Sequence, residues 1–298
     1  MVNHNQCPAC KSIDIFPKLE AQDYTVSNEK FSIWHCANCT IRFTQDVADQ
    51  NSIGKYYKSD NYISHSDTKS GLVNSLYHSI RKFTLLLKRK LIQNQTQLKS
   101  GTILDIGCGT GAFLNTMKEA GWKITGLEPD DTAITKAKSL YQIHPQSSSE
   151  LFNLSEQQFD AITMWHVLEH VHQLNEYFFQ LRKILKDNGT LFIAVPNYTS
   201  FDAHFYKETW AAYDVPRHLY HFSPMSMELL VKRYGMKIKT IKPMWFDSYY
   251  VSMLSEKYRG NKLGLLRAVL IGKISNILCL LNKRKCSSVI YVIKKMTN

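Results

Sequence analysis

Three glycines at alternate positions, Gly107, Gly109 and Gly111, stand between a short aliphatic and β-branched run, Thr102–Ile106, and a segment of helical periodicity that begins at Ala112. In a strand–turn–helix setting, the first can take a turn closed to side chains. The second lets backbone approach a ligand, and the third admits close helix packing. Asp105 lies just before the loop, and Glu128 follows the next strand, Lys123–Leu127. A carboxylate at that strand end can accept hydrogen bonds from both hydroxyls of a ribose. A nucleotide-type ligand follows, with two readings open. A dinucleotide would set its pyrophosphate on the helix N-terminus, whereas a carboxylate directly before the loop suits a ligand bearing an amine and a positive centre.

A second constellation sits near the N-terminus. Cys7/Cys10 and Cys36/Cys39 form two CxxC pairs. Four thiolates at this spacing enclose one tetrahedral Zn²⁺ with no open position, which makes the ion structural. Such an ion explains how about 40 residues hold together without a sizeable core, because zinc binding contributes on the order of 10 kcal/mol to folding. Residues 1–43 are therefore read as a zinc ribbon, with partial alternation over Tyr24–His35 and again at Ile41 and Phe43. Cys279 and Cys286 show no partner spacing.

The elements that must position these groups follow from periodicity. Residues 44–99 read as a polar linker and a long helix, with Leu72, Leu76, Ile80, Phe83, Leu87 and Leu91 on one stripe packing on the core. Its basic residues give it either a wet outer side or a face laid across the mouth of the next domain. From 100 to 298, strands (Thr102–Ile106, Lys123–Leu127, Phe159–Met164, Gly189–Val195) alternate with helices (Ala112–Ala120, Thr132–Leu140, Leu174–Leu185), the signature of a mostly parallel sheet covered on both faces. Pro224–Tyr234 is a further helix capped by Ser223. Met236–Ile241 and Ser287–Lys294 are the last strands, and a helical insertion at about 244–284 separates them.

The runs LDIGCGTGAFL (Leu104–Leu114), GLEPD (Gly126–Asp130), FDAITMWHVLEHV (Phe159–Val171) and GTLFIAVPN (Gly189–Asn197) resemble the class I S-adenosylmethionine-dependent methyltransferases, and most the small-molecule branch of ubiquinone-biosynthesis methyltransferases. The resemblance implies a Rossmann-like seven-stranded sheet of order 3-2-1-4-5-7-6 with strand 7 antiparallel. It implies that Asp105, Gly107, Cys108, Gly109 and Gly111 surround the amino-acid portion of the cofactor, that Glu128 binds the ribose, and that Pro129 lies beside the adenine. Trp165 and His166 would face the methionine portion or the substrate. The third strand of this family usually ends near an acidic or polar contact to the adenine amine. Here Gln146-Ser147-Ser148-Ser149 stands there, so that contact stays unassigned.

Methyl transfer from a sulfonium is an in-line displacement in which orientation carries much of the rate. A hydroxyl acceptor must also lose its proton near the transition state, a task for an imidazole of near-neutral pKa. The segment Trp210–Ser223 concentrates suitable groups. His166, His218 and His221 are the candidate bases, with Asp214 to orient one of them. Tyr213, Arg217 and Tyr220 are candidate substrate contacts, Arg217 for a phosphate or carboxylate.

The chain has 298 residues, 44% hydrophobic, with 37 Lys and Arg against 25 Asp and Glu. That balance excludes disordered and fibrous classes, and seven cysteines are too few for a disulfide scaffold. The N-terminus shows no signal peptide, and Arg267 and Lys273 interrupt the most apolar stretch, so a cytoplasmic protein without a membrane span is expected. The formal charge of +12 favours acidic partners. The expected substrate is a small molecule, with a saccharide or nucleotide-linked hydroxyl favoured by analogy with zinc-bearing sugar methyltransferases. An NAD-dependent oxidoreductase and a zinc-ribbon nucleic-acid-binding protein or RNA methyltransferase are the alternatives. Peripheral membrane contact and homo-oligomerisation stay open.

Overall fold

The computed structural model describes residues 1–57 and 72–296, and of 72–80 the backbone alone. Residues 58–70 of the linker expected over 44–70, and the side chains of Leu72, Leu76 and Ile80, lie outside the described residues. In chain order the first elements are β1 (Ile15–Gln22), β2 (Lys30–Cys36), β3 (Arg42–Thr44), α1 (Leu72–Thr96), β4 (Thr102–Ile106), α2 (Ala112–Glu119), β5 (Lys123–Leu127), α3 (Asp131–Tyr141) and β6 (Phe159–Trp165). The rest are α4 (Leu174–Ile184), β7 (Leu185–Pro196), α5 (Phe201–Tyr206), β8 (Tyr220–His221), α6 (Pro224–Arg233), β9 (Met236–Pro243), α7 (Asp247–Tyr258), α8 (Gly264–Leu281) and β10 (Ser288–Lys295).

The strands form two sheets, β1-β2-β3-β8 and β5-β4-β6-β7-β10-β9, in place of the single seven-stranded sheet expected. The strand that is missing from the expected order is the third. Its position is held only by an isolated parallel bridge between Leu127 and Gln146. Pro145 has no N–H to give a ladder, and the chain turns into a 3-10 segment at Ser148–Asn153, so the pairing stops after one residue. β10 runs against β7. Asn197 N donates to Ser287 O at one end, and Lys295 meets Asp187 at 3.0 Å at the other.

The chain divides into two compact units, Met1–Tyr62 with His166–Phe178 and Ile193–Ile293, and Ile63–Trp165 with Phe179–Phe192 and Lys294–Asn298. In the first, β1 and β2 pair antiparallel with a register irregularity between Pro17 and Leu19. β1 is an edge strand with half of its residues exposed, so it lacks the alternation that marks β2. Strand β3 pairs with β8, bringing Tyr220 and His221 beside Phe43 and Arg42. The aromatic core of this unit contains Phe31, Ile33, Tyr206, Trp210 and Tyr213.

In the second unit β4 pairs in parallel with β5 and β6. Gly111 has φ +79°, and a Cβ there would meet Ala137 at 3.2 Å, which fixes α2 close to α3. Of the apolar stripe expected on α1, only Phe83, Leu87 and Leu91 have described side chains, and Leu91 is half-buried. Phe83 and Leu87 are exposed, while Arg81, Lys88 and Ile92 turn toward the protein. Lys82 and Lys90 are exposed, so the basic residues of α1 are divided between solvent and protein.

The insertion is the antiparallel pair α7 and α8. Cys279 and Cys286, expected to be unpaired, are joined by a disulfide. The turn Lys283–Lys285 folds the chain back and brings their Cα atoms to 4.6 Å.

Candidate functional site

In the unit that holds β4–β6, Asp105 is buried near the end of β4 and its Oδ1 accepts from Thr163 Oγ1 at 2.6 Å. Burial pushes its carboxyl up to about 7, opposed by the Thr163 hydroxyl and Lys88 and assisted by Glu128. Gly107 and Gly109 have φ +68° and +54°. Their loop is tied to β5 by Gly107 N and Cys108 N, which donate to Leu127 O at 2.7 and 3.0 Å. Glu128 Oε2 accepts from Gly109 N at 2.7 Å and Oε1 from Asp130 N at 3.1 Å. Its carboxyl is also raised by burial. Asp130 caps α3 through Ala133 N at 2.7 Å, leaving Pro129 between the acid and the cap.

Trp165 ends β6. It stands edge-on to Phe113 with centroids 5.6 Å apart, and Lys88 Nζ lies 4.2 Å from its ring centroid. Its indole Nε1 is buried without a hydrogen-bond partner among the described residues. Arg81 reaches Thr110 in the glycine loop at 3.3 Å. Periodicity missed Lys88 and Arg81, because nothing local reveals which side of a helix meets a distant loop. Thr163 was legible in principle, as a hydroxyl inside an otherwise apolar strand that needs a partner.

The charge state of Asp105 yields a testable expectation. A ligand carrying an ammonium group and a sulfonium prefers the carboxylate, so binding takes up the deprotonated form and releases a proton. Affinity should therefore rise with pH up to about 7 and level off above it. In Asp105→Asn that dependence should vanish, as calorimetry in buffers of different ionisation heat would show. The raised pKa also means that stability falls as pH rises from the unfolded value of 3.8 to about 7, then flattens.

The other unit gathers a polar cluster that begins at the residue after Trp165. His166 Nε2 lies 2.9 Å from Asp247 Oδ2 and its Nδ1 3.3 Å from Glu169 Oε1. Burial opposes its charge, but Asp247 and Glu169 prevail and push it up to about 10. At neutral pH it is an imidazolium, which can donate but not accept a proton. Glu169 is wholly buried, and one of its oxygens, Oε2, has no partner among the described residues.

Glu169, His170 and His218 bring ligand atoms within 4.8 Å of one another. His170 Nδ1 lies 3.0 Å from Arg217 O and His218 Nδ1 2.9 Å from Ala212 O. A carbonyl only accepts, so both Nδ1 atoms carry hydrogen. Such a set gathers around a shared positive charge, protons or a cation. Burial pushes His170 down to about 4, with His218 assisting.

His221 is fixed differently. Thr44 Oγ1 gives its proton to His218 O at 2.6 Å, so His221 Nε2, 3.1 Å away, must donate to it. Burial holds His221 neutral. Arg217 is 1% exposed. Its guanidinium donates to Asp214 Oδ1 at 2.7 Å, Asp23 Oδ1 at 2.9 Å and Tyr56 O at 2.8 Å. Tyr213 accepts from Arg42 at 2.9 Å, and Tyr220 donates to His172 O at 3.3 Å. The aromatic segment is thus largely interior. It reaches the surface at a shallow pocket lined by Tyr24, Trp210, Tyr213, Asp214, Arg217 and Tyr258 among others.

The four N-terminal thiols fit one zinc ion. Cys7 and Cys39 Sγ are 3.6 Å apart, as are Cys10 and Cys36, close to the ~3.8 Å edge of a tetrahedron with Zn–S bonds of about 2.3 Å. Each knuckle closes with a residue at positive φ, Lys11 and Thr40, whose N–H donates to the carbonyl of Cys7 or Cys36 at 2.9 Å.

A family model described as a methyltransferase domain matches residues 77–241. The ubiquinone biosynthesis O-methyltransferase of Coxiella burnetii is 29% identical over 133 residues, covering 43% of this chain and 56% of that protein. The human mitochondrial ubiquinone biosynthesis O-methyltransferase is 26% identical over 163 residues, covering 49% and 44%. The chain spans about half the length of the curated relatives it matches. Among solved structures, the PH0226 protein of Pyrococcus horikoshii aligns with a TM-score of 0.50 at 13% identity, over 81% of this chain and 99% of that one, a likeness of fold.

Proposed function

The chain belongs to the methyltransferase-domain family, and from that premise we propose that it methylates a small-molecule hydroxyl, on a saccharide or nucleotide-linked sugar, with S-adenosylmethionine as donor. The observation that carries this reading is the pair of buried carboxylates, Asp105 and Glu128, at the ends of adjacent parallel strands on either side of a glycine loop. S-adenosylmethionine, when bound, supplies a methyl group on a positively charged sulfur. Asp105 and the backbone of Gly107, Cys108, Gly109 and Gly111 hold its amino-acid end. Glu128 exchanges its bond to Gly109 N for the ribose hydroxyls, and Pro129 borders the adenine. Trp165, its indole N–H without a partner among the described residues, closes the methionine side. Two carboxylates beside the loop repel a pyrophosphate, which weighs against an NAD-dependent oxidoreductase.

For the acceptor, the imidazole of His218, oriented by Ala212 O, takes the hydroxyl proton. His166, as imidazolium between Asp247 and Glu169, positions that group without accepting it. Asp214 and Arg217 hold the backbone that carries His218, and Tyr213 and Tyr220 support the same wall. The four thiols reserved for zinc suit a reducing compartment, so we assign the protein to the cytoplasm, where the Cys279–Cys286 pair would exchange with its dithiol.

The test is transfer of a labelled methyl group into fractionated sugars, nucleotide sugars and RNA, alongside calorimetry with S-adenosylmethionine and NAD. Label in the sugar fractions is expected, and label confined to RNA would overturn the acceptor. His218→Gln should lower kcat by about 10²–10⁴-fold with donor affinity unchanged. Retained kcat would remove His218 from the reaction.

A further inference from the structure

Helices on the surface of a water-soluble body turn their large aliphatic residues inward. Helix α8 does the reverse. Its buried residues are Gly264, Ala268, Ile271, Gly272, Ser275 and Cys279, nearly all small. Close packing requires this. A Cβ on Gly272 would meet Tyr249 Cδ1 at 2.7 Å, and one on Gly264 would meet Glu256 Cβ at 3.1 Å. The large residues face outward, and Leu265, Leu266, Leu270, Leu280 and Leu281 are 56–80% exposed. Small residues toward a neighbouring helix and large aliphatics away from it is the distribution found where the surroundings are lipid. Next to α8, Trp245, Phe246 and Tyr250 are also exposed, the residue types that settle at a membrane interface.

Charge selects the partner. Beyond Glu256 the sequence carries ten lysines and arginines and no aspartate or glutamate. Lys262 precedes α8, and Lys283 and Lys285 follow it. Arg284 is engaged with Glu228 at 2.8 Å. A second copy would bring like charges together around the apolar face, whereas anionic headgroups would neutralise them.

We propose that α8 docks on an anionic lipid bilayer, lying in the interfacial plane with its exposed leucines among the acyl chains and Lys262, Lys283 and Lys285 at the headgroups. By length and composition α8 could also cross a membrane, though 33% of it is buried against the protein. Its 18 residues extend about 27 Å, short of the ~30 Å hydrocarbon core. Packing of its small residues on α7 ties it to the fold. The inference is independent of the reaction proposed above.

Co-sedimentation of the full chain with vesicles of phosphatidylcholine plus phosphatidylglycerol, against phosphatidylcholine alone, tests it, with sedimentation velocity in the absence of lipid. Binding to the anionic vesicles only, with release at high salt, is expected. The combined variant Lys262→Gln, Lys283→Gln, Lys285→Gln should lose on the order of a hundredfold in partitioning. The variant Leu265→Gln, Leu266→Gln, Leu270→Gln should lose binding while keeping zinc content and melting temperature, since those side chains are exposed. Four results would overturn the proposal. They are no binding to anionic vesicles, equal binding to neutral ones, retention after salt and alkaline washes (a spanning helix), and a lipid-free dimer that the leucine variant dissolves (a second copy on the face).

Discussion

Chelating the metal from Cys7, Cys10, Cys36 and Cys39 is expected to unfold the β1-β2-β3-β8 sheet and to abolish methyl transfer while donor binding persists. Strand β3 has three residues and β8 two, too few to hold without a fixed frame. That frame is the pair of zinc knuckles, and metal binding contributes on the order of 10 kcal/mol to such modules. The effect reaches the polar cluster through named bonds. Thr44 holds His218 O and His221, and Thr40 Oγ1 meets Ser223 Oγ at 2.8 Å at the cap of α6. Loss of the ion should therefore disorder the wall that carries His218. Asp105, Glu128 and the glycine loop are held by β4–β6 and do not use these contacts. Zinc content, melting temperature and calorimetry with the donor, before and after chelation, check this. An unchanged melting curve in metal-free protein would remove the ion from the account, and Cys36→Ser should reproduce the chelated state.

The sequence disclosed what is local. The loop Gly107–Gly111, its two acids and the CxxC pairs are patterns of neighbouring residues, and each lies at a turn or strand end whose geometry follows from residue type. The capping box at Ser223 was legible for the same reason. What it concealed is long-range. Strand β8 exists because Phe43 pairs with Tyr220, a contact between distant parts of the chain that no alternation announces. On α1, Lys88 lies over Trp165 and Arg81 reaches Thr110, contacts with distant residues that helical periodicity does not announce. The third strand was expected from resemblance, yet Pro145 and the serines after it end the pairing at Gln146. Residue type in Trp210–Ser223 suits either substrate contact or an internal polar network; its rings and charges form a buried network, with Trp210, Tyr213, Asp214 and Arg217 also lining a pocket.

Arg217→Met should lower the unfolding free energy by about 3–5 kcal/mol, the usual cost of removing one partner from a buried ion cluster. Asp23 is nearly fully buried and Asp214 largely so, and both depend on this guanidinium for countercharge. Asp23 has a second task. It accepts from Thr25 N at 3.0 Å and Ser27 N at 2.9 Å, shaping the turn between β1 and β2. The guanidinium holds its carboxyl below the usual carboxylate range against the effect of burial. The conservative change Arg217→Lys should not preserve wild-type stability, because one ammonium cannot fork to two carboxylates and the Tyr56 carbonyl together. Adding Asp23→Asn to Arg217→Met should recover part of the loss by deleting the stranded charge, and a double-mutant cycle in denaturant measures that recovery. If Arg217→Met melts like the wild type but loses affinity for an anionic substrate, the side chain binds substrate and the structural role assigned to it is wrong.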